Sequence, residues 1–154
     1  MKKLLALMLV LAMAFCFAAC GGGEEAAVDE NPYLIEIADY TAEYTGYEIV
    51  KDSEGNDTLV CTYNFTNNGE EAQSFEWAWM YAYYQDGIEL DYSVVFLSED
   101  SFDCVDDATL TDIQPGNTLE VKTTYKLNSL ESPVEVEFTD MYSDTTDGFT
   151  IELQ

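Results

Sequence analysis

The sequence predicts an all-β protein, built as an antiparallel sandwich of two sheets with about seven strands. Aromatic residues make up 14% of the chain, including 11 Tyr and 8 Phe, and aromatic residues are enriched in strands. Apolar and polar residues alternate over short stretches that turn residues separate, and no long stretch shows the 3.6-residue period of a helix. Because a single sheet of this length would leave one apolar face in water, two packed sheets are expected.

The first 19 residues are predicted to be a lipoprotein signal peptide. Lys2 and Lys3 precede an uncharged run from Leu4 to Ala19, which is shorter than the roughly 20 residues of a membrane-spanning helix. Small residues stand directly before Cys20, as the signal peptidase of lipoproteins requires, and the Cys20 thiol is predicted to carry a diacylglyceryl group. The alternative is an ordinary secretory signal that is cut elsewhere and leaves Cys20 as a free thiol.

Residues 20–32 are predicted to form the lipidated cysteine and a flexible tether, and residues 33–154 the β-sandwich domain. Glycines and acidic residues dominate the tether, and a chain of this kind reaches on the order of 20 Å. Acyl chains contribute about 0.8 kcal/mol per buried CH₂, so two or more of them hold a protein stably. We therefore expect the domain to lie close to the cell membrane, lipid-anchored on its extracytoplasmic face.

The chain is strongly acidic. It has 31 Asp and Glu residues against 5 Lys and Arg, no His, and a formal net charge of −26. Binding to nucleic acid needs basic residues that neutralise phosphates, so nucleic acid is excluded as a partner. Anionic surfaces would also repel this domain.

The strands are predicted in short segments along the domain. Residues 33–50 are expected to form one or two strands, and turn residues at 51–58 end them. Alternation is clearest over 59–66. The residues predicted to face inward there are Leu59, Cys61, Tyr63 and Phe65.

A long strand is predicted from Phe75 to Tyr84, followed by a hairpin turn at Asp86-Gly87 and a return strand that ends at Tyr92. Further strands are predicted over 119–127, 134–138 and 149–153. Five aromatic residues share one face of the long strand: Phe75, Trp77, Trp79, Tyr81 and Tyr83.

This aromatic face is longer than the core of a small sandwich, which covers about five or six residues of a strand. We expect Trp77, Trp79 and Tyr81 to fill the core and Tyr83 to overhang it. Tyr83, Tyr84 and Tyr92 are then predicted to form an exposed cluster that binds a sugar or a protein partner. The alternative is a bulge that bends the strand and buries all five aromatic residues.

Cys61 and Cys104 are predicted to form a disulfide, since disulfides persist outside the cytoplasm. The pattern places Cys61 on an inward strand face. The alternative is two buried thiols that never meet, because a free cysteine behaves as a small apolar residue.

No catalytic residue, metal ligand or cofactor is predicted, and the protein is not expected to be an enzyme. The lack of His excludes Ser-His-Asp triads and most metal sites. The acidic stretches 52–57 and 99–112 offer oxygen ligands for calcium, but neither follows the spacing of a calcium-binding loop. Among so many acidic residues, any two could be named as a carboxylate pair, so the pattern gives no argument for glycoside hydrolysis.

Six short motifs occur in order along the domain. They are Asp39-Tyr40-Thr41-x-Glu43-Tyr44, Leu59-Val60-x-x-Tyr63-x-Phe65-Thr66-Asn67-Asn68, Gln85-Asp86-Gly87-x-Glu89-Leu90, Ile113-x-Pro115-Gly116, Tyr125-x-Leu127 and Ser132-Pro133-Val134-Glu135-Val136. In this order they resemble a family of domains of unknown function found in surface lipoproteins of Gram-positive bacteria. The resemblance implies an immunoglobulin-like sandwich and no reaction.

The expected function is therefore that of a non-enzymatic binding, adhesion or protein-interaction module, with an extracellular protein or glycan as its partner. Two alternatives stay open, namely an accessory substrate-binding lipoprotein of a transporter and a structural component of the envelope. The first is disfavoured because the domain is small for two lobes that close on a solute and has no alternating strand–helix pattern.

Overall fold

Two antiparallel sheets form the framework of the part of the chain that the structure describes. The structure is a computed structural model, and it describes residues 31–98 and 101–154. The predicted signal peptide 1–19, the predicted lipidation site Cys20 and the tether up to residue 30 lie outside the described residues.

Eight strands, one short helix and one 3₁₀ turn lie within these described ranges. The strands are β1 Leu34–Ile37, β2 Tyr40–Lys51, β3 Asp57–Asn67, β4 Met80–Gln85, β5 Ile88–Glu89, β6 Thr118–Lys126, β7 Val134–Thr139 and β8 Thr146–Ile151. The helix α1 spans Phe75–Ala78, and the 3₁₀ turn spans Asp107–Leu110. No helix within 31–98 or 101–154 is long and apolar enough to cross a bilayer.

The strand order is that of an immunoglobulin-like sandwich. The first sheet has the order β1-β2-β3-β6 and the second the order β5-β4-β7-β8, and all neighbours are antiparallel. In the lettering of immunoglobulin domains, β2, β3 and β6 correspond to strands A, B and E, while the second sheet corresponds to C′, C, F and G. The predicted two-sheet antiparallel sandwich is confirmed.

The first predicted segment, 33–50, divides into β1 and β2 at a tight hairpin. Ala38 turns the chain with a φ of 53°, and Ile37 pairs with Tyr40 directly across the turn. This division gives eight strands in the described residues, where the sequence predicts about seven.

The inward faces of the two sheets form one core that is rich in aromatic rings. Trp79 packs edge-on against Phe65, Phe75 and Phe138, with ring centroids 5.2 to 5.7 Å apart. Such pairs contribute about 0.5–1.5 kcal/mol each beyond the burial of their area. The four residues of β3 predicted to face inward are all completely buried: Leu59, Cys61, Tyr63 and Phe65.

A chain of hydrogen bonds crosses this core. The hydroxyl of Tyr63 on β3 lies 2.6 Å from that of Tyr83 on β4, and the Tyr83 hydroxyl lies 2.7 Å from Oγ1 of Thr123 on β6. Both tyrosines are completely buried, so a hydroxyl without a partner would cost free energy here. These hydrogen bonds therefore join the two sheets and favour one alignment of the sheets across the core.

One lateral edge of the sandwich is filled by aromatic side chains. The ring of Phe149 on β8 lies 4.9 Å from that of Tyr44 on β2 and 5.6 Å from that of Tyr33, which precedes β1. The backbone N–H of Gln154 donates to the hydroxyl of Tyr47 at 2.8 Å. We call this side, formed by β1, β2 and β8, the closed edge, and the opposite side, formed by β6, β4 and β5, the open edge.

The predicted strand over 75–84 is wrong in its first half, because α1 occupies the first four of these residues. In a helical turn, residues three apart share a face, so Phe75 and Ala78 are buried while Trp77 is 63% exposed. Trp77 therefore does not fill the core as predicted, whereas Trp79 does, with 1% of its surface exposed.

Candidate functional site

The predicted cluster of Tyr83, Tyr84 and Tyr92 does not form. Tyr83 is buried in the core, Tyr84 lies on the opposite face of β4, and Tyr92 is 58% exposed beside β6. The physical reason is α1, which shortens the strand so that Tyr83 falls at its centre instead of overhanging an end. The alternative of a bulge that buries all five aromatic residues is also wrong, because Trp77 is exposed.

A cleft lies at the open edge instead, and we call it the edge cleft. Its volume is about 410 Å³, within the range of small-molecule sites. Its walls come from α1, the start of β4, the end of β6 and the stretch that leads into the 3₁₀ turn. The side chains that give the cleft its character are Glu76, Trp77, Trp79, Tyr81, Tyr92, Asp106 and Tyr125.

Backbone pairing places two of these tyrosines side by side. Tyr92 forms an isolated antiparallel bridge with Tyr125, and the N–H of Ser93 donates to the carbonyl of Thr124 at 3.1 Å. Residues 91–93 thereby extend the first sheet beyond β6. Opposite neighbours in an antiparallel pair carry their side chains on the same face, so both rings face the cleft.

The aromatic walls of the edge cleft are fixed by the core beneath them. Tyr125 stacks on the buried ring of Tyr83 at 4.1 Å, and Tyr81 packs edge-on against the same ring at 6.5 Å. Trp77 and Tyr92 remain more than half exposed at the mouth. Tyr81 and Tyr125 therefore present rings that the core already holds in place.

Glu76 and Asp106 are the charged side chains among the residues that line the edge cleft, and no Lys or Arg is among them. The Tyr81 hydroxyl donates to Oε2 of Glu76 at 2.6 Å, and the Thr124 hydroxyl lies 3.4 Å from Oδ2 of Asp106. Oδ1 of Asp106 is buried and has no hydrogen-bond partner within the described part of the chain. The local charge of the cleft is therefore negative.

Burial and these carboxylates together raise the pKa values of the tyrosine hydroxyls in the cleft. Burial, followed by the hydrogen bond to Glu76, raises the pKa of Tyr81. Partial burial and the neighbouring Asp106 raise the pKa of Tyr92, and burial and the charge of Glu76 raise the pKa of Tyr125. All three phenols therefore stay protonated at neutral pH and act as neutral rings and hydrogen-bond donors.

In the acidic turn at 52–57, the Asp52 carboxylate already accepts hydrogen bonds from neighbouring groups of the chain. The Asp52 carboxylate accepts the backbone N–H groups of Glu54 and Asn56 at 2.9 and 2.8 Å and the Ser93 hydroxyl at 2.8 Å. The side-chain amide of Asn56 contributes most among the hydrogen bonds that hold the pKa of Asp52 well below its usual range. This carboxylate ties the β2–β3 turn to the stretch that forms the open edge.

A second acidic group lies within the predicted calcium stretch 99–112. Cys104, Asp106 and Asp107 each place one ligand atom within 4.8 Å of the others, but Asp107 already accepts the backbone N–H of Cys104 at 2.7 Å. Desolvation and then the neighbouring acidic residues raise the pKa of the Cys104 thiol, whereas metals bind the thiolate. The group gives no argument for a metal site.

The predicted disulfide between Cys61 and Cys104 does not form, and both cysteines are free. Cys61 lies inside the core and pairs with Thr123 on β6, whereas Cys104 pairs with Phe96, past the edge of the first sheet. β6 and the stretch after Tyr92 therefore stand between the two cysteines. At about 4.8 Å per strand, their separation exceeds the roughly 7 Å that a disulfide allows between Cα atoms.

Sequence reasoning does not identify Glu76, Asp106 and Tyr125 as members of one site. The local signal for α1 is Ser74, a residue type favoured at helix N-termini, with Glu76 in the first turn. Nothing local indicates that Asp106 approaches Tyr125, because strand order and a long connection bring them together.

Comparison with solved structures supports the fold. A candidate lipoprotein from Staphylococcus aureus subsp. aureus NCTC 8325 is similar over 79% of this chain and 88% of its own, with a TM-score of 0.63 and 14% identity. A protein from Enterococcus faecalis is similar over 77% of this chain and 90% of its own, with a TM-score of 0.54 and 19% identity. At these identities the likeness concerns the fold alone. No curated protein matches the chain.

Residues 23–140 match a family model described as a domain of unknown function, DUF5067. The match takes in β1 to β7 and the residues named above for the edge cleft, and it ends before β8. All six sequence motifs lie inside the matched range, and the resemblance drawn from them is confirmed. The chain therefore belongs to the DUF5067 family.

Proposed function

We propose that this protein is a lipid-anchored module on the extracytoplasmic face of the cell membrane, and that it binds a ligand in the edge cleft without transforming it. One observation carries the proposal. Trp77 and Tyr92 stay exposed at the mouth of a cleft of about 410 Å³ whose inner rings are held by the core. Exposed aromatic rings around a concave surface are typical of sites for sugars and protein segments.

The proposed anchor is supported by the sequence and by one structural neighbour. Small residues stand directly before Cys20 at the end of the apolar run, and the similar Staphylococcus aureus protein is itself a candidate lipoprotein. A tether of about a dozen residues would keep the domain within roughly 20 Å of the membrane.

The chemistry of the cleft supports binding more than catalysis. General acid–base catalysis works best with groups whose pKa lies near the working pH. Burial and the nearby carboxylates raise the pKa values of Tyr81, Tyr92 and Tyr125 away from neutrality. The Glu76 carboxylate already accepts a hydrogen bond from Tyr81.

Capture from envelope fractions tests the binding proposal. The full chain is immobilised in detergent and incubated with separated glycan and protein fractions of the envelope. We expect the wild type to retain material that a Trp77→Ala, Tyr92→Ala double variant does not. The matched control is Phe102→Ala, which removes a ring that is 96% exposed but does not line the cleft. Equal retention by the wild type and the double variant would contradict the proposal.

Membrane fractionation tests the anchor separately. Cys20→Ala should move the protein out of the membrane fraction or leave its signal peptide uncut. Mass spectrometry of the mature chain should find diacylglyceryl on Cys20, and an unmodified thiol there would refute the anchor while leaving the cleft open to test.

A further inference from the structure

The charge of the edge cleft selects among ligands. Both charged side chains that line it are carboxylates, Glu76 and Asp106, and the whole chain carries a formal charge of −26. An anionic ligand would be repelled by the cleft and by the chain around it. A cationic group is attracted by both carboxylates and by the aromatic faces, which themselves bind cations.

The space available to a ligand extends beyond the edge cleft. A hollow of about 310 Å³ adjoins the edge cleft and shares Glu76, Tyr92, Asp106 and Thr109 with it. The two carboxylates therefore lie where the hollows meet, and room for ligand continues on both sides of them. A chain of linked rings fits this arrangement better than one short side chain does.

Two buried polar atoms at the site have no partner in the described part of the chain. They are Oδ1 of Asp106, an acceptor, and Nε1 of Trp79, a donor on a residue that is 1% exposed. A buried polar group without a hydrogen-bond partner destabilises the folded state. A ligand that carries a protonated amine and hydroxyl oxygens on one ring supplies a donor for Oδ1 of Asp106 and an acceptor for Nε1 of Trp79.

We infer that the edge cleft binds an amino sugar within an oligosaccharide, with its protonated amine between Glu76 and Asp106 and its ring against the aromatic walls. The inference rests on the proposed function, in which this cleft is the binding site. The group that the cleft recognises is a free, protonated amine on a sugar ring. N-acetylation removes the positive charge of this amine and should therefore abolish its recognition.

Tryptophan fluorescence offers a direct test, since the chain has 2 Trp and both line the edge cleft. The full chain in detergent is titrated at pH about 6, below the ordinary pKa of an amine. The probes are a β-1,4-linked glucosamine tetramer, its fully N-acetylated counterpart and a lysine-containing peptide. We expect the glucosamine tetramer to bind about ten times more tightly, as a desolvated cation over aromatic rings and carboxylates should.

Removal of the two carboxylate charges should abolish this preference. In a Glu76→Gln, Asp106→Asn double variant, the side chains keep their shape, and the amide oxygen introduced in place of the Glu76 carboxylate can still accept the hydrogen bond from Tyr81. This variant should bind both tetramers equally, at the wild-type affinity for the N-acetylated one, and that retained binding shows that the variant is folded. The matched control is Glu36→Gln, Glu120→Gln, which removes the same charge from exposed positions outside the cleft and should leave the preference intact.

The other outcomes overturn the inference in distinguishable ways. Equal binding of both tetramers by the wild type would reject the amine but leave the cleft as a sugar site, so the proposed function would stand. If the control variant loses its preference for the glucosamine tetramer as completely as the cleft variant does, the preference comes from the overall negative charge of the chain and not from the cleft. Tighter binding of a lysine-containing peptide than of the glucosamine tetramer would assign the amine to a protein partner. A lack of binding to all three probes would refute the inference, and the envelope capture would then decide the proposed function independently.

Discussion

At the closed edge, Phe149 packs against Tyr33 and Tyr44 and fills the space between the sheets. At the open edge, Tyr81 and Tyr125 also pack on the core, but among the described residues Tyr83 is the only ring that packs against Tyr125, and a cleft remains. The two edges use the same residue types, so composition does not explain the difference.

The difference between the two edges follows from the lengths of their strands. The closed edge is spanned by β8, which has six residues, whereas the strand that borders the open edge, β5, has two, and both of them are exposed. Leu90, which continues β5 by donating its N–H to the carbonyl of Tyr83, is buried, but the chain then leaves β4 and pairs with β6 through Tyr92 and Tyr125. No residue of β5 therefore lies beside the start of β4. A short edge strand therefore leaves part of the core wall uncovered as the wall of a cleft.

The largest expected effect is a difference in the rate of thiol alkylation between the core and the stretch beyond the open edge. Cys61 is completely buried and Cys104 is half-buried. Alkylation of Cys61 needs unfolding, which costs about 5–15 kcal/mol in a typical domain, so Cys61 should label at least about a thousand times more slowly than Cys104. Peptide mass spectrometry measures both rates, and a Cys61 that stays unlabelled in denaturant until a reductant is added would show a disulfide after all.

Phe149→Ala should break the closed edge. It removes contacts to Tyr33, Tyr44 and Tyr63, and a large-to-small change at a half-buried ring should cost about 3 kcal/mol. Urea unfolding followed by far-ultraviolet circular dichroism gives the free energy of unfolding. A loss below about 1 kcal/mol would mean that this edge does not depend on its aromatic filling.

Tyr83→Phe tests the hydrogen-bond chain that lies between the two edges. It deletes both bonds of the chain, to Tyr63 and to Thr123, and should lower the free energy of unfolding by about 2 kcal/mol. Tyr63→Phe deletes only one of them and should cost about half as much, which makes it the matched control. Equal costs for the two variants would contradict the assignment of Tyr83 as the middle member.

Trp77→Ala should have the smallest effect on stability. The side chain is 63% exposed at the mouth of the edge cleft, so its loss should change the free energy of unfolding by no more than about 0.5 kcal/mol. The same denaturation experiment measures it. A cost comparable to that of Phe149→Ala would show that the open edge is held together as the closed edge is.

Alternation in the sequence was sufficient to predict the strands that face a single core. The predicted segments 59–66, 119–127 and 134–138 correspond closely to β3, β6 and β7, because each follows an alternating pattern over several residue pairs. The pattern does not predict α1, because Phe75, Trp77 and Trp79 also fit a period of two and four residues are too few to separate the two periods.

The candidate site was beyond the reach of local patterns. Glu76 and Asp106 are far apart in a chain with 31 acidic residues, and only the strand order brings their elements to one edge. Predicting that Tyr83 overhangs depended on the length of its strand, and a single helical turn moved the exposed position from Tyr83 to Trp77.

Short edge strands have a further consequence for how copies of this protein behave when crowded. β1 has four residues and β5 two, and residues 91–93 cover part of the outer side of β6, so few unpaired backbone groups remain there for a neighbouring chain to pair with. β8 is longer, but it includes Asp147 and belongs to a chain whose formal charge of −26 repels its own copies. We therefore expect the domain to resist edge-to-edge aggregation and to remain a separate unit even at high local concentration.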